Sequence, residues 1–354
     1  MNTLNSKERF LRTIAHEEVD RPCTWMGIPD PKAYPGLFTH FGVRSIPELI
    51  HQLDDDIWPV ELPYHSPTAD AIYMAFDFTG GHSLAKNEER TLNSPGYFAD
   101  CEDLEEVERF DWPDPSLYID PDKCRAAVDG IPGDKVCLGV IWSAHFQDAC
   151  AAFGMENALM TLLEEPEIFE AINRRITQFY LEANSIFFEA TKGKLDAVLI
   201  GNDYGSQQGL MLSRELIRRY SLPFTKQLIE QAKAYGLKVI HHSCGSICPI
   251  IEDLVEIGAD VIHPIQAKAA GMEASALKEQ FGNRVAFCGG VDAQDLLVNG
   301  TPEEVETEVQ RLRRIFPTGL IVSPSHEAIL PDTPPANIAA LFRAARAPLS
   351  GSDQ

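Results

Sequence analysis

Two residues of one short segment have the types and the spacing of metal ligands. His242 and Cys244 stand two positions apart in the run HHSCGSIC. In an extended backbone, residues i and i+2 point to the same side, so this imidazole and this thiol can face one centre. Zn²⁺ takes nitrogen and sulfur ligands, and His326 in the run SPSHEA is the best candidate for a third one. Three protein ligands would leave the fourth position open, as in a catalytic zinc site.

The same segment allows other interpretations. A helix is predicted just after Cys244, and its N-terminus would stabilise a reactive thiolate without any metal. Cys244 could also be a packed side chain. Cys248, four positions later, could be a further ligand, but it is interpreted as a buried cysteine at a helix start. His241 should point away from His242 and form a hydrogen bond behind the site.

The elements that must position these residues alternate between short apolar runs and helical stretches. Five such strand–helix units fill the second half of the chain, and three further apolar runs in the first half bring the total to eight. The predicted strands are 21–27, 55–62, 135–143, 195–201, 237–242, 259–264, 284–290 and 319–325. Because no G-x-G-x-x-G follows the first strand, eight units favour a (β/α)₈ TIM barrel of the α/β class over an open doubly wound sheet.

The predicted barrel is a single domain over residues 1–348. Residues 65–134 are rich in turn residues. They predict an insertion of irregular structure and short hairpins between strands 2 and 3, covering part of the barrel mouth. Residues 349–354 are predicted to be a disordered tail.

Barrel enzymes have their active sites at the carboxyl ends of the strands, so the residues that follow each strand are the candidates. Asp203 is predicted to act as an acid or base, together with His326. Asp56, at the start of the second strand, is a further candidate, although a solvated turn also explains it. The predicted substrate-binding residues are Tyr204, Gln208, His263, Gln266 and Asp292. His263 could instead bond a backbone carbonyl, and Asp292 could cap the next helix.

Composition excludes several classes of partner. The formal net charge of −23 argues against binding to nucleic acid or to an anionic membrane surface. No apolar run approaches the 18 or so residues of a membrane span. The charged first residues lack the apolar core of a signal peptide, so the eight cysteines are expected to be reduced and the protein cytoplasmic.

Several long motifs identify a family. HHSCGSICPIIEDLVEIGADVIHPIQ, FCGGVDAQDLL, GTPEEV and SPSHEAILPDTPPANIAAL, in this order, resemble the uroporphyrinogen decarboxylase superfamily, as does the opening SKERFLRTIAHEEVDRP. The resemblance covers nearly the whole chain apart from 65–134, and it implies a (β/α)₈ barrel.

The true decarboxylases of this superfamily use no metal and carry an arginine-rich segment, R-Q-A-G-R-Y, after the first strand. Here this stretch reads MGIPDPKAY, without arginine, which argues against a porphyrinogen bearing eight carboxylates. The resemblance does match His326 to their late histidine, and it places Asp56 near their central aspartate.

The other branch comprises zinc-dependent, corrinoid-linked methyltransferases, which carry H-x-C after the fifth strand and usually a cysteine near the eighth. His242 and Cys244 match the H-x-C, and His326 replaces the cysteine. This branch implies Zn²⁺ on the protein, a small methoxylated or methylthiolated compound as substrate, and cobalamin as methyl carrier. No D-x-H-x-x-G segment occurs, so the cobalamin would be carried by a separate corrinoid-binding protein.

The sequence therefore predicts a zinc-dependent methyltransferase. The alternatives are a metal-free decarboxylase of a small carboxylate, with His326 and an aspartate moving protons, and a barrel that binds a ligand without turnover. Substrate identity, direction of transfer and oligomeric state stay open.

Overall fold

Eight parallel strands form one sheet in the computed structural model, which describes residues 3–78 and 93–349. Strand β1 pairs with β8, and each strand from β8 down to β2 pairs with the next in the order β1-β8-β7-β6-β5-β4-β3-β2. The strands are β1 (Cys23–Thr24), β2 (Ile57–Glu61), β3 (Val136–Trp142), β4 (Ala197–Gly201), β5 (Lys238–His242), β6 (Val261–Ile265), β7 (Ala286–Val291) and β8 (Leu320–Pro324). Each lies within or overlaps a predicted strand, and the predicted TIM barrel is confirmed.

Helices separate the strands and cover the outside of the sheet. The α-helices of the described residues are α1 (Ser6–Ile14), α2 (Tyr34–Phe41), α3 (Ile46–Leu53), α4 (Leu104–Arg109), α5 (Pro121–Asp129), α6 (His145–Phe153), α7 (Met155–Glu164), α8 (Pro166–Ala190), α9 (Arg214–Tyr220), α10 (Leu222–Ala234), α11 (Cys248–Glu256), α12 (Ala274–Phe281), α13 (Leu296–Asn299), α14 (Pro302–Ile315) and α15 (Pro335–Arg346). The sequence signals act as expected at α14, where Thr301 and Glu304 form a capping box. None of these helices is both long and apolar enough to cross a membrane.

The apolar core has two layers because successive residues of a strand face opposite sides of the sheet. Ile240 of β5 packs inside the barrel with residues such as Leu199 and Val261. Its neighbour Val239 packs in the outer layer, between the sheet and the helices. The inward row of β5 continues to His242, so His241 belongs to the outward row. This alternation turns His242 toward the barrel axis at the mouth.

The segment between β2 and β3 differs from its prediction in one respect. Its described residues contain α4, α5 and two 3₁₀ turns, Ile72–Met74 and Pro115–Leu117, but no strand, so the predicted hairpins are not found there. The side chains of Asp103, Asp114 and Asp120 accept backbone N–H groups and cap these elements. The same residue types signal turns and helix caps, which is why the sequence pattern was ambiguous. Residues 79–92 and 350–354, including most of the predicted tail, lie outside the described residues.

The seam between β1 and β2 is closed by carboxylates. The backbone N–H of Thr24 donates to Asp56 Oδ2 over 2.9 Å, and that of Met26 donates to Asp55 Oδ2 over 2.8 Å. Arg9 Nη1 lies 2.6 Å from Asp56 Oδ1 and Arg21 Nη1 lies 2.7 Å from Oδ2. Asp56 precedes the first residue of β2 and therefore lies at the amino end of the strands, opposite the mouth. Asp56, predicted as a catalytic candidate, therefore has structural contacts and lies away from the other candidates at the mouth.

Candidate metal centre

Three different donor atoms meet where β4 and β5 end. His242, the last residue of β5, is buried, and its Nε2 lies 3.4 Å from Cys244 Sγ. Asp203 follows β4, and its Oδ1 lies 3.3 Å from the same nitrogen. Nitrogen, sulfur and oxygen ligand atoms of these residues all lie within 4.8 Å of one another. Of these three residues, His242 and Cys244 were predicted as ligands, whereas Asp203 was expected to act as an acid or base.

A second group shares the cysteine. The ligand atoms of Cys244, His326 and Glu327 also lie within 4.8 Å of one another. Glu327 Oε2 is 3.8 Å from His242 Nε2 and 3.4 Å from His326 Nδ1. The loop after β8 thus brings His326, the predicted third ligand, within reach of Cys244, together with a carboxylate that was not selected from the sequence. His242 and His326 belong to different groups, which Cys244 links. The sequence signal that could have identified Glu327 was its position directly after His326, at the end of a strand.

One buried oxygen of this mouth lacks a hydrogen-bond donor. Glu327 Oε2 accepts no hydrogen bond among the described residues, and its ion-pair partners are His326 Nδ1 at 3.4 Å and His242 Nε2 at 3.8 Å. Burying a carboxylate oxygen without a donor is costly, and buried charges are normally paired or bound to metals. A divalent cation between the donors would supply that partner, so the residues fit a metal ion.

Close backbone contacts hold the two loops together. A Cβ atom on Gly201 would lie 2.0 Å from the carbonyl oxygen of His242, so only glycine fits at the end of β4. The backbone N–H of Cys244 donates to Asp203 Oδ1 over 2.7 Å, and that of Gly245 donates to Gln266 Oε1 over 2.6 Å. Gln266 was predicted to bind substrate, and the structure shows it fixing the cysteine loop.

The His242 ring is held on two further sides. Its Nδ1 lies 2.9 Å from Nδ1 of His263, which is completely buried on β6. The Trp142 ring meets it edge to face, with 5.4 Å between ring centroids. Trp142 and Ser143 have φ values of 52° and 54°, in a backbone region that residues other than glycine rarely adopt. Such backbone outliers cluster at functional sites, and sequence patterns do not report them.

The ionisable groups of the mouth shift one another's pKa. Burial raises the pKa of Asp203, but its contacts with His242 and the backbone of Cys244 outweigh burial and lower this pKa to about 2. Burial lowers the pKa of His242, yet Asp203 and Cys244 raise it well above its ordinary value. Contact with Cys244 raises the pKa of His326, although burial opposes this. Asp203 is therefore ionised at neutral pH, and the mouth favours a cation.

Other residues predicted to bind substrate have structural contacts instead. Tyr204 is buried in the outer layer, where its hydroxyl lies 2.8 Å from Ser221 Oγ and its ring stacks on His241. Asp292 accepts the backbone N–H groups of residues 294 and 296, the capping alternative. Gln208 is exposed on the loop after β4. His263 is completely buried behind His242.

Fold and donor atoms together define a (β/α)₈ barrel protein with a metal-ligand cluster at the carboxyl ends of its strands. The chain belongs to the uroporphyrinogen decarboxylase (URO-D) family, whose sequence model matches residues 61–348. No protein of curated function is detectably similar to it in sequence.

Two solved structures cover almost all of the chain. A methyltransferase from Methanosarcina mazei has a TM-score of 0.69 at 17% identity, covering 97% of this chain and 98% of that one. A candidate vitamin B12-independent methionine synthase from Listeria monocytogenes has a TM-score of 0.43 at 12% identity, covering 93% and 95%. The first similarity shows a shared fold, and the second is too low to carry an argument.

Proposed function

We propose that this chain is a zinc-dependent methyltransferase that acts on a small methoxylated or methylthiolated compound, with a corrinoid protein as methyl carrier. The observation that carries the proposal is the meeting of His242 Nε2, Cys244 Sγ and Asp203 Oδ1 at the barrel mouth, beside His326 and Glu327. A histidine, a cysteine and further nitrogen or oxygen donors form a ligand set that suits Zn²⁺.

In this proposal His242 and Cys244 hold the metal, and His326 is the third ligand. When bound, Zn²⁺ acts as a Lewis acid on the sulfur or oxygen that carries the methyl group. Asp203 fixes the cysteine loop through the backbone N–H of Cys244 and adds negative charge beside His242. Glu327 faces both histidines, and its carboxylate could bind the metal in place of His326.

The surroundings of the mouth suit a small substrate without many acidic groups. Asp203 and Glu327 would repel carboxylates, and no arginine forms an ion pair with them among the described residues. This agrees with the absence of arginine from MGIPDPKAY. The methyltransferase from Methanosarcina mazei uses the same fold, which is compatible with the proposal.

The decarboxylase alternative loses one of its two candidate aspartates. That interpretation gave proton transfer to His326 and to an aspartate, for which Asp203 and Asp56 were the candidates. Asp56 is completely buried at the opposite end of the barrel, between Arg9 and Arg21. It cannot meet a substrate that contacts His326.

The test is a methyl-transfer assay on purified protein loaded with zinc, using free cob(I)alamin and a panel of methoxylated and methylthiolated small molecules. We expect zinc-dependent formation of methylcobalamin with at least one donor, and loss of the activity in Cys244→Ala. Cys248→Ala is the matched control, because this cysteine lies in the same run but its thiol hydrogen-bonds to Gln280 and is not part of the ligand cluster. Zinc-independent activity, or CO₂ release from a small acid by metal-free protein, would contradict the proposal.

A further inference from the structure

The two ring nitrogens of His242 face different partners. Nε2 faces the mouth, where Asp203, Cys244 and Glu327 lie 3.3 to 3.8 Å away. Nδ1 faces inward and lies 2.9 Å from Nδ1 of His263. At this distance one nitrogen must donate a proton and the other must accept it, since two bare nitrogens would repel each other.

We propose that His263 is a positioning residue of the metal centre, whose Nδ1 accepts the Nδ1–H of His242 and thereby makes Nε2, toward the mouth, the nitrogen that can bind a metal. The inference rests on the proposed function and identifies the residue that prepares one of its ligands. A neutral imidazole carries one N–H, so fixing that proton on Nδ1 determines which nitrogen can bind a metal.

The fold fixes His263 in this role. His242 and His263 are register partners of the parallel pair β5–β6, and the backbone N–H of Ser243 donates to the carbonyl of His263 over 2.8 Å. The His263 ring also packs against the indole of Trp25, with 5.0 Å between ring centroids. Strand pairing and the buried indole therefore hold the His263 ring directly behind the His242 ring.

The chemical nature of this partner has a consequence. Metal-binding histidines commonly donate to a carboxylate, a backbone carbonyl or water. Here the acceptor is an uncharged imidazole, and no carboxylate hydrogen-bonds to His263 within residues 3–78 and 93–349. His242 thus donates its orienting hydrogen bond to an acceptor without negative charge, which would preserve the electron-withdrawing character of a bound cation.

Two substitutions distinguish the effect of the hydrogen-bond acceptor on zinc affinity from the effect of the volume of the ring. His263→Asn keeps an acceptor oxygen near the position of Nδ1, whereas His263→Leu keeps an apolar side chain and removes the acceptor. We expect His263→Leu to bind zinc about 10–100-fold more weakly in competition with a chromophoric chelator, as for other lost partners of metal ligands. His263→Asn should recover most of the affinity.

The matched control is His241→Leu. His241 is the adjacent buried histidine, but it faces the outer layer and both of its nitrogens lack partners among the described residues. The zinc affinity of the His241→Leu protein should equal that of the wild type. Equal zinc affinity of His263→Leu and wild type would overturn the inference and leave the proposed function intact. A wild-type protein that binds no zinc would overturn both.

Nuclear magnetic resonance of wild-type protein provides a readout that does not depend on how the variants fold. Long-range ¹H–¹⁵N spectra of zinc-loaded protein labelled at histidine should show His242 with its proton on Nδ1 and the metal on Nε2. His242 bound through Nδ1, or carrying its proton on Nε2, would overturn the inference.

Discussion

Asp56→Asn should destabilise the protein and leave its chemistry intact. The side chain is completely buried, and its two oxygens contact Arg9, Arg21 and the backbone N–H of Thr24 over 2.6 to 2.9 Å. Asparagine keeps one acceptor oxygen but removes a buried charge that pairs with both Arg9 and Arg21. Arg9 keeps its ion pair with Asp20 and Arg21 keeps its ion pair with Asp54, but both lose the one anionic partner that is completely buried.

The expected magnitude follows from this burial. Removing one partner of a buried ion pair costs about 3–5 kcal/mol. The unfolding entropy of a chain of 354 residues is about 0.7 kcal/mol per degree, at roughly 2 cal/mol/K per residue. The melting temperature should therefore fall by roughly 4–7 °C. Zinc affinity and methyl-transfer rate, measured well below the transition, should stay at wild-type levels.

Asp54→Asn is the matched control for calorimetry. Asp54 also contacts Arg21, but its side chain is 51% exposed, so its ion pair should contribute less than about 1 kcal/mol. An Asp56→Asn protein with wild-type stability and a large loss of turnover would refute the structural assignment and restore a catalytic role.

Further predictions concern the seam, the loop contact and the mouth. Burial raises the pKa of Asp55 to about 8, so the folded state retains a proton that the unfolded chain releases near about pH 4. Urea titrations should therefore show the wild type losing on the order of 5 kcal/mol relative to Asp55→Asn as pH rises from about 4 to about 8, and a constant difference would contradict this sign. Gly201→Ala should weaken zinc binding, because its Cβ would displace the carbonyl of His242, whereas Gly209→Ala meets no atom within 4 Å and should bind zinc normally. Asp203→Asn should raise the zinc dissociation constant about tenfold or more in chelator competition, since it removes a charge-assisted hydrogen bond to the cysteine loop, and an unchanged constant would show that this carboxylate is dispensable.

The sequence was most informative where local periodicity decides the structure. Buried parallel strands are short apolar runs between helices, so all eight were found, and the i, i+2 rule brought His242 and Cys244 to one side. Strand boundaries were less certain. Asp56 lies one residue before β2, at the amino end of the barrel, whereas the mouth lies at the other end of the strand, beyond Glu61.

Contacts between side chains of different strands could not be predicted from the sequence. The pairing of His242 with His263 depends on the register between β5 and β6, which neither strand reveals alone. Glu327 was visible after β8, but only the fold shows that its buried oxygen lacks a donor and faces both histidines. Tyr204 and Asp292 follow strands as active-site residues do, yet one packs outward and the other caps a turn.

The most direct test of the metal centre is zinc content combined with X-ray absorption at the zinc edge, on wild-type protein and on Cys244→Ser. The wild type should hold one zinc per chain at this site, with a single sulfur neighbour at about 2.3 Å. Cys244→Ser should lose that sulfur signal, whereas Cys248→Ser should keep it. A wild-type protein that takes up no zinc, or a zinc without any sulfur neighbour, would contradict the assignment of His242 and Cys244 as metal ligands.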